Sequence, residues 1–419
     1  MFRRIARSYR EAYTGLPGAV WLLSVVAFIN RAGTMVFPFL TLYMTDALGF
    51  EVSTAGQVLS VYGLGAIVGG IGGGWMVDRI GSARTQLWSL LLAGVVFMAL
   101  VPLQSPWWFI PGLAVLSITA EAFRPAAMAG ITEYSVGTDA ARSFGLLRLA
   151  VNLGMAIGPA AGGLLAAVAY HWLFIADGLT CWFAFVLLWF GMRRMAPPPS
   201  ATAAEKVAGE GDAAGESAQA AVEEPTEVSP WRDPGFLFLL FLSLVYASLL
   251  FQIFSTMPVY LRDVLGMSEG RIGAILAFNA LLIVAFEMVL THELRNVDHL
   301  RLIGAGLLLT GLGLGLLAFG SSLAWVCVTV VVWTFGEMLM LPFSNALIAR
   351  RAGAKNRGRY MGLYTSTWSV AFVIAPLGGT LIYERFGPDI LWYTAGVIGL
   401  LCSLLCLRGE AALGKAEAA

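Results

Sequence analysis

The sequence predicts an all-α integral membrane protein, with twelve transmembrane helices in two pseudo-symmetric six-helix bundles. Composition, apolar segment length and an internal repeat predict it. Of 419 residues, 58% are hydrophobic before the 48 glycines are counted, and 12% are charged, about half the ~25% of a soluble domain. Mean hydropathy is +0.77, an apolar excess that one water-bounded core cannot hide. A bilayer crossing needs about 20 apolar residues, and twelve stretches qualify, near 17–45, 54–77, 85–104, 107–134, 142–167, 170–191, 235–264, 268–292, 299–319, 322–350, 357–382 and 388–408.

Residues 1–16 are basic and read as a cytoplasmic amphipathic segment lying on the membrane surface. The first apolar run is too long for a cleavable signal and is interrupted by Asn30-Arg31. Residues 17–192 form the first bundle. The stretch 193–234 carries Pro197-Pro198-Pro199 and eight of the 26 acidic residues, a composition that buries too little surface to fold, so it reads as a flexible cytoplasmic linker. Residues 235–408 form the second bundle and 409–419 a cytoplasmic tail. With these spans, 20 of the 26 Lys and Arg fall on one side, and only Arg262, Arg271 and Arg385 on the other. The positive-inside rule places both termini and the linker in the cytoplasm, and the protein is expected in the plasma (inner) membrane.

Equal numbers of basic and acidic residues give no net charge, which argues against a nucleic-acid partner. Cys181, Cys327, Cys402 and Cys406 sit inside apolar runs, so they form neither a disulfide framework nor a metal knuckle. No metal or cofactor is expected.

The halves are related by a constant offset of 217 residues. Tyr43, Asp46, Leu48, Gly49 and Gly56 match Tyr260, Asp263, Leu265, Gly266 and Gly273, and Pro125, Arg142, Gly145, Pro159 and Gly162 match Pro342, Arg359, Gly362, Pro376 and Gly379. Six spans per copy make this a parallel repeat about an axis along the membrane normal, an arrangement in which transporters place a substrate site between the copies.

The loop after the second span reads Gly74-Trp75-Met76-Val77-Asp78-Arg79-Ile80-Gly81-Ser82-Ala83-Arg84. It resembles the GxxxDRxGxxR motif of the major facilitator superfamily, in the loop where that family carries it. The resemblance extends over nearly the whole chain. It implies that Gly74, Asp78, Arg79, Gly81 and Arg84 form a cytoplasmic gating motif, with Glu133 and Arg142 in the same relay, and that Asp78 faces the start of the eleventh span near Arg357–Arg359. The physical logic is an acidic side chain against a helix N-terminal dipole, with arginines bridging to nearby carboxylates. The second copy is degraded, with Arg295 and Asn296 opposite Asp78 and Arg79. In the fifth span, Gly154, Gly158, Pro159, Gly162 and Gly163 resemble the GxxxGPxxGG motif of the family's drug:proton antiporters. Glycines at this spacing admit a neighbouring helix closely and the proline bends the span.

A charge at the bilayer centre costs about 2.5–3.5 kcal/mol on insertion scales, so it needs a partner or a wet cavity. Arg31, Glu121, Arg124 and Glu337 fall near the middle of their spans. Glu121 and Arg124, three apart, share a helical face. The resemblance implies that the first, fourth, seventh and tenth spans line a central cavity, where these four charges would meet as a neutral cluster and Glu121 or Glu337 would carry a proton. Asn30 and Asn345 join as cavity candidates, with Gln252, Tyr246, Tyr364 and Trp368 behind them. Arg148, Asp177 and Glu287 lie nearer span ends, where hydration accounts for them. The same holds for His171, His292 and His299.

No P-loop, GxSxG or HExxH occurs, so neither an ATP-driven pump nor an enzyme is expected. The reading is a monomeric, proton-coupled secondary active transporter that exports small amphiphilic, drug-like molecules by alternating access: an antiporter of the multidrug efflux kind. The alternatives are a lipid or glycolipid exporter or flippase of the same fold and, behind it, a nutrient importer or a membrane-embedded enzyme. Two arginines in the cavity disfavour purely cationic drugs.

Overall fold

A computed structural model describes residues 15–103, 105–135, 140–194 and 230–416. The expected N-terminal segment and most of the linker lie outside the described residues. The crossing helices are α1 (Gly18–Ala47), α2 (Val52–Ile80), α3 (Ser82–Leu100), α4 (Pro106–Glu121 and Phe123–Tyr134), α5 (Ala140–Val168), α6 (His171–Arg194), α7 (Pro234–Asp263), α8 (Glu269–Glu293), α9 (His299–Phe319), α10 (Leu323–Arg351), α11 (Gly353–Phe386) and α12 (Pro388–Ala416). Among the described residues no strand occurs. Eleven of these helices are long and apolar enough to cross a membrane.

The twelfth, α4, is cut in two, and the cause is local. Pro125 has no N–H to give the carbonyl of Glu121, and its ring crowds that carbonyl, so the helix is interrupted at Ala122. The same chemistry breaks α1. Pro38 withholds a donor from Thr34, and the chain leaves helical geometry over Gly33–Met35 before resuming at Val36.

The repeat is visible in hydrogen bonds. Where α1 ends, the amides of Leu48 and Phe50 reach the carbonyls of Tyr43 (3.2 Å) and Met44 (2.9 Å). Where α7 ends, the amides of Leu265 and Met267 reach Tyr260 (3.3 Å) and Leu261 (2.9 Å), the same pattern 217 residues on. Both turns pass through a left-handed glycine, Gly49 at φ +70° and Gly266 at φ +63°, which a β-carbon would strain.

The offset also relates the two seams between the bundles. A β-carbon on Gly56 of α2 would lie 2.8 Å from the carbonyl oxygen of Pro376 on α11, and one on Gly273 of α8 would lie 2.9 Å from Cα of Gly163 on α5. Gly56 and Gly273 are repeat mates, as are Pro376 and Pro159. Likewise Gly162 of α5 abuts Met35 of α1, and Gly379 of α11 abuts Gln252 of α7.

Burial divides the molecule unevenly along its axis. At the end carrying Gly49 and Gly266, one core cluster runs through both bundles, including Phe39, Leu59 and Phe174 from the first and Met257, Ile272 and Trp392 from the second. At the end carrying Gly81 the core is two clusters, one drawn from residues 16–188 and the other from 236–406.

Ahead of α7, Asp233 ties three helices of the second bundle at the Gly81 end. It accepts from the Phe236 amide (3.1 Å), from Arg351 Nε and Nη2 of α10 (2.8 and 2.7 Å) and from the Tyr360 hydroxyl of α11 (3.1 Å). Burial pushes the carboxyl up, but the hydrogen bonds from Arg351 and the Phe236 amide outweigh it, so Asp233 titrates below its usual range.

Two outcomes follow from this packing. Gly273→Val forces its side chain into the α5 backbone, an overpacking strain of about 1–3 kcal/mol, so the purified protein melts at lower temperature. Gly72→Val, at a position where a β-carbon meets nothing within 4 Å, leaves the melting temperature unchanged. Because the Asp233 carboxyl is depressed, its stabilisation is present above the unfolded carboxylate's pKa and is lost as pH falls through the lower folded value. Thermal melts at graded pH therefore show this contribution constant from pH ~5 to ~8 and falling below pH ~4, and Asp233→Asn removes that acid-dependent part.

Candidate functional site

The Gly49 end is sealed by polar contacts that cross between bundles. Arg262 of α7 pairs with Asp46 of α1 at 3.0 Å and with Glu269 of α8. The Tyr170 hydroxyl, just before α6, lies 3.0 Å from Asp46 Oδ2, 3.2 Å from Glu269 Oε1 and 3.3 Å from Arg262 Nη1. The Ser53 amide donates to Glu384 of α11 (2.8 Å), and Ser60 Oγ donates to the Val373 carbonyl (2.6 Å). Beneath lies an aromatic plug, with the Phe37 ring 5.7 Å from Tyr62, 5.6 Å from Phe254 and 5.4 Å from Phe372, two helices from each bundle.

Toward the Gly81 end α2 and α11 part. Gly56, Gly63, Gly70 and Gly74 share one face of α2. A β-carbon on Gly63 would meet Phe372, whereas on Gly70, Gly74 or Gly362 it would meet nothing within 4 Å. The α5–α8 edge differs: Arg148 of α5 pairs with Glu287 of α8. Both were expected to be hydrated singly at span ends; instead they neutralise each other, which lowers the cost of placing either charge in the membrane.

A cavity with about 60 Å³ open to the centres of water molecules lies inside the first bundle. Asn30, Arg31 and Thr34 of α1, Tyr62 of α2, Glu121 of α4, and Asp177 and Cys181 of α6 are among its lining residues. Three of the expected residues, Asn30, Arg31 and Glu121, thus come together. Arg124 and Asn345 are exposed and are not in this lining. Ala122 keeps helical dihedrals (φ −64°, ψ −21°), and three positions beyond Glu121 the Arg124 side chain still falls outside this lining. Glu337 of α10 lies in the other bundle, its Oε2 accepting from Asn279 Nδ2 of α8 at 3.3 Å. Asn279 also donates to Thr334 Oγ1 at 3.0 Å. Among the described residues the four central charges form no ion pair, so the expected neutral cluster is not assembled in this conformation.

Asp177, expected to be hydrated at a span end, is 1% exposed and accepts from the Met35 and Val36 amides at the α1 break. Gln252 ties α7 to α11 through the Ala375 carbonyl (2.8 Å), and Tyr246 and Trp368 pack edge to face. These are packing roles.

The motif residues separate into two groups. Asp78 and Arg84 are exposed, and Arg79 stacks over Trp75 at 4.3 Å. Gly81 turns the chain at φ +85°, and Glu133 accepts from Ser82 Oγ at 2.6 Å. Arg142 is half-buried on the first turn of α5. Of the expected neighbours of Asp78 at Arg357–Arg359, Arg357 lies outside the described side chains and Arg359 is exposed. The α5 motif is fully engaged: β-carbons on Gly154, Gly158 and Gly162 would press on α1 around Phe28–Met35, and one on Gly163 would lie 2.5 Å from the Glu269 carbonyl oxygen of α8. Pro159 lies inside α5.

The family model described as Major Facilitator Superfamily matches residues 20–296 and 272–418. The chain belongs to the major facilitator superfamily. It is a multi-pass membrane transporter and not an enzyme. Relatives include a Na(+), Li(+), K(+)/H(+) antiporter of Planococcus maritimus, 24% identical over 84% of this chain and 86% of that one. The multidrug resistance protein MdtH of Edwardsiella ictaluri is 24% identical over 91% and 90%. Among solved structures, a POT family transporter in complex with 5-aminolevulinic acid superposes with a TM-score of 0.78 at 18% identity, covering 94% of this chain and 96% of that one. That likeness shows the shared fold.

Sequence reasoning missed the Arg262 network, Asn279 and the burial of Asp177. Asp177 carried a signal, a carboxylate inside an apolar run; Asn279 and the pairing of Arg262 across bundles carried none. Arg262→Ala leaves Asp46 and Glu269 facing each other without their cation. A cysteine at Phe254, beneath the seal, then reacts from the Gly49 face about fivefold faster, the factor for ~1 kcal/mol, and neutralising both acids restores the slower rate.

Proposed function

We propose that this superfamily member is a proton-coupled exporter of small amphiphilic, drug-like molecules, working by alternating access as a monomer in the plasma (inner) membrane. The observation that carries the reading is the division of the core, with one cluster shared by both bundles at the Gly49 end and two separate clusters at the Gly81 end. Two bodies joined at one mouth and separate at the other are the geometry of a rocking carrier. The excess of Lys and Arg supports a cytoplasmic Gly81 end and cytoplasmic termini. This conformation then faces inward, and Asp78 is poised to latch the opposite state against the start of α11.

Glu337 supports the proton assignment. Its described hydrogen-bond partner is the neutral amide of Asn279, which tolerates the carboxyl in either protonation state, where a fixed ion pair would not. Glu121 is the second candidate, in a cavity whose described basic lining is Arg31. The α5 glycines, whose pattern resembles that of drug:proton antiporters, bear on both α1 and the opposite bundle, as coupling between proton and substrate requires. Arg31 beside Glu121 suits zwitterionic or neutral amphiphiles better than simple cations.

Reconstitution tests this. Liposomes containing the protein are loaded with ethidium or with the zwitterion norfloxacin, and a pH gradient is imposed. The expected result is gradient-driven movement of at least one probe, falling to the rate of protein-free liposomes in Glu337→Gln or Glu121→Gln. Full retention of coupling in both variants removes the proton assignment. Gradient-driven sodium release with neither probe moved would favour cation exchange, as the name of the Planococcus maritimus relative states for that protein.

A further inference from the structure

The α1 break frees the amides of Met35 and Val36, and inside a membrane each unmet amide costs several kcal/mol. Asp177 of α6 meets both. The Met35 amide lies 3.0 Å from its Oδ1 and 3.1 Å from its Oδ2, and the Val36 amide lies 2.9 Å from Oδ2. A neutral oxygen, from Asn or Ser, would satisfy that task. An acid that is 1% exposed is an expensive way to cap a helix, and among the described residues it forms no ion pair.

The groups around it come from every element lining its cavity. α1 presents Asn30 and Arg31, α2 presents Tyr62, α3 presents Phe97, α4 presents Glu121, and Cys181 lies one turn along α6. Arg31 is the basic side chain among the described lining. The cavity has room for several water molecules, so a proton carried on cavity water meets the carboxylate directly.

The segment that Asp177 holds is the one on which α5 bears from the other side. A β-carbon on Gly158 would lie 3.1 Å from the Ala32 carbonyl oxygen, and one on Gly162 would lie 3.1 Å from Met35 Cβ. Gly163, the next residue, would meet the Glu269 carbonyl and Gly273 on α8. Asp177, the α1 break, the α5 glycines and the seam between bundles therefore form one unbroken line of contacts.

We propose that Asp177 is a proton-binding residue that sets the α1 break and, through the α5 glycines, the seal at the Gly49 end. The ionised carboxylate accepts the N–H groups in charge-assisted hydrogen bonds and holds the conformation seen here. A hydronium ion in the cavity gives up one O–H bond and is left as water while an O–H bond forms on one carboxylate oxygen; no other covalent bond changes. That oxygen becomes a donor, the two amides are left to share the remaining neutral oxygen without charge assistance, and the weakened hold lets the break relax toward the state open at the Gly49 end. By linkage the proton binds more tightly in that open state and leaves more readily in this one, which gives the coupling its direction. The inference rests on the exporter reading only in taking the proton as the coupling ion.

The test uses the full chain in nanodiscs, with spin labels on Glu51→Cys and Ser268→Cys, exposed positions at the Gly49 end in opposite bundles. On acidification the wild-type background is expected to shift toward a longer interlabel distance, and infrared difference spectra are expected to show a carboxyl band appearing. Asp177→Asn keeps an oxygen for the amides, so it is expected to hold one distance at every pH and to lack that band component, whereas Glu121→Gln and Glu337→Gln retain it. A wild-type distance response, or an unchanged band, in Asp177→Asn overturns the proposal. Should Asp177→Asn not fold, Asp177→Glu decides: a displaced pH midpoint supports the assignment and an unchanged one overturns it. Neither readout requires a transported probe. Titration of Asp177 without transport defeats the exporter reading alone, and proton-driven transport with an inert Asp177 defeats this proposal alone.

Discussion

Inside lipid no water stands ready to take up a stray amide or carbonyl, so each interruption of a helix must be repaired by another part of the protein. Much of this structure follows from that demand. Pro38 opens α1, and α6 supplies an acid to the freed amides. Pro125 interrupts the hydrogen bonding of α4 beside Glu121, which lines the cavity while Arg124 is exposed. Prolines thus decide where the membrane interior is polar, and the polar interior decides where ions and substrate can act. Between the breaks, glycines let helices meet backbone to backbone, as Gly163 and Gly273 do between the bundles, so little side chain is there to absorb a displacement.

Duplication explains why these devices come in pairs and why the pairs are unequal. The turns at Gly49 and Gly266, and the seams at Gly56 and Gly273, are the same construction used twice. Where the copies have diverged, chemistry has been added: Met35 in one bundle corresponds to Gln252 in the other, and the Asp78 loop lacks a counterpart. On the proposed mechanism, the symmetric frame supplies the rocking bodies and the asymmetric side chains give the movement a direction.

The frame was legible in the sequence because it is written in composition and spacing. Twenty-residue apolar runs, the 217-residue offset and the two motifs survive without knowledge of tertiary contacts. The site was legible in part. Arg31 and Glu121 could be placed together because both are costly charges in spans that share a cavity. Arg124 could not be placed correctly: three-residue spacing puts it on a face with Glu121, but it is exposed, because spacing does not say which helices cover that face. The burial of Asp177 depends on a gap in α1 more than a hundred residues away, and the Arg262 network on how two bundles dock. Such pairings are set by packing between distant segments, which local pattern does not encode.

The pairing of Arg148 with Glu287 gives the parted mouth a lopsided shape. α5 and α8 remain tied well past the level at which α2 and α11 have separated, so one edge of the molecule behaves as a door jamb and the other as the free margin of the door. Displacement grows with distance from the jamb. The opening is therefore widest on the edge formed by α2 and α11, where Gly70, Gly74 and Gly362 face open space.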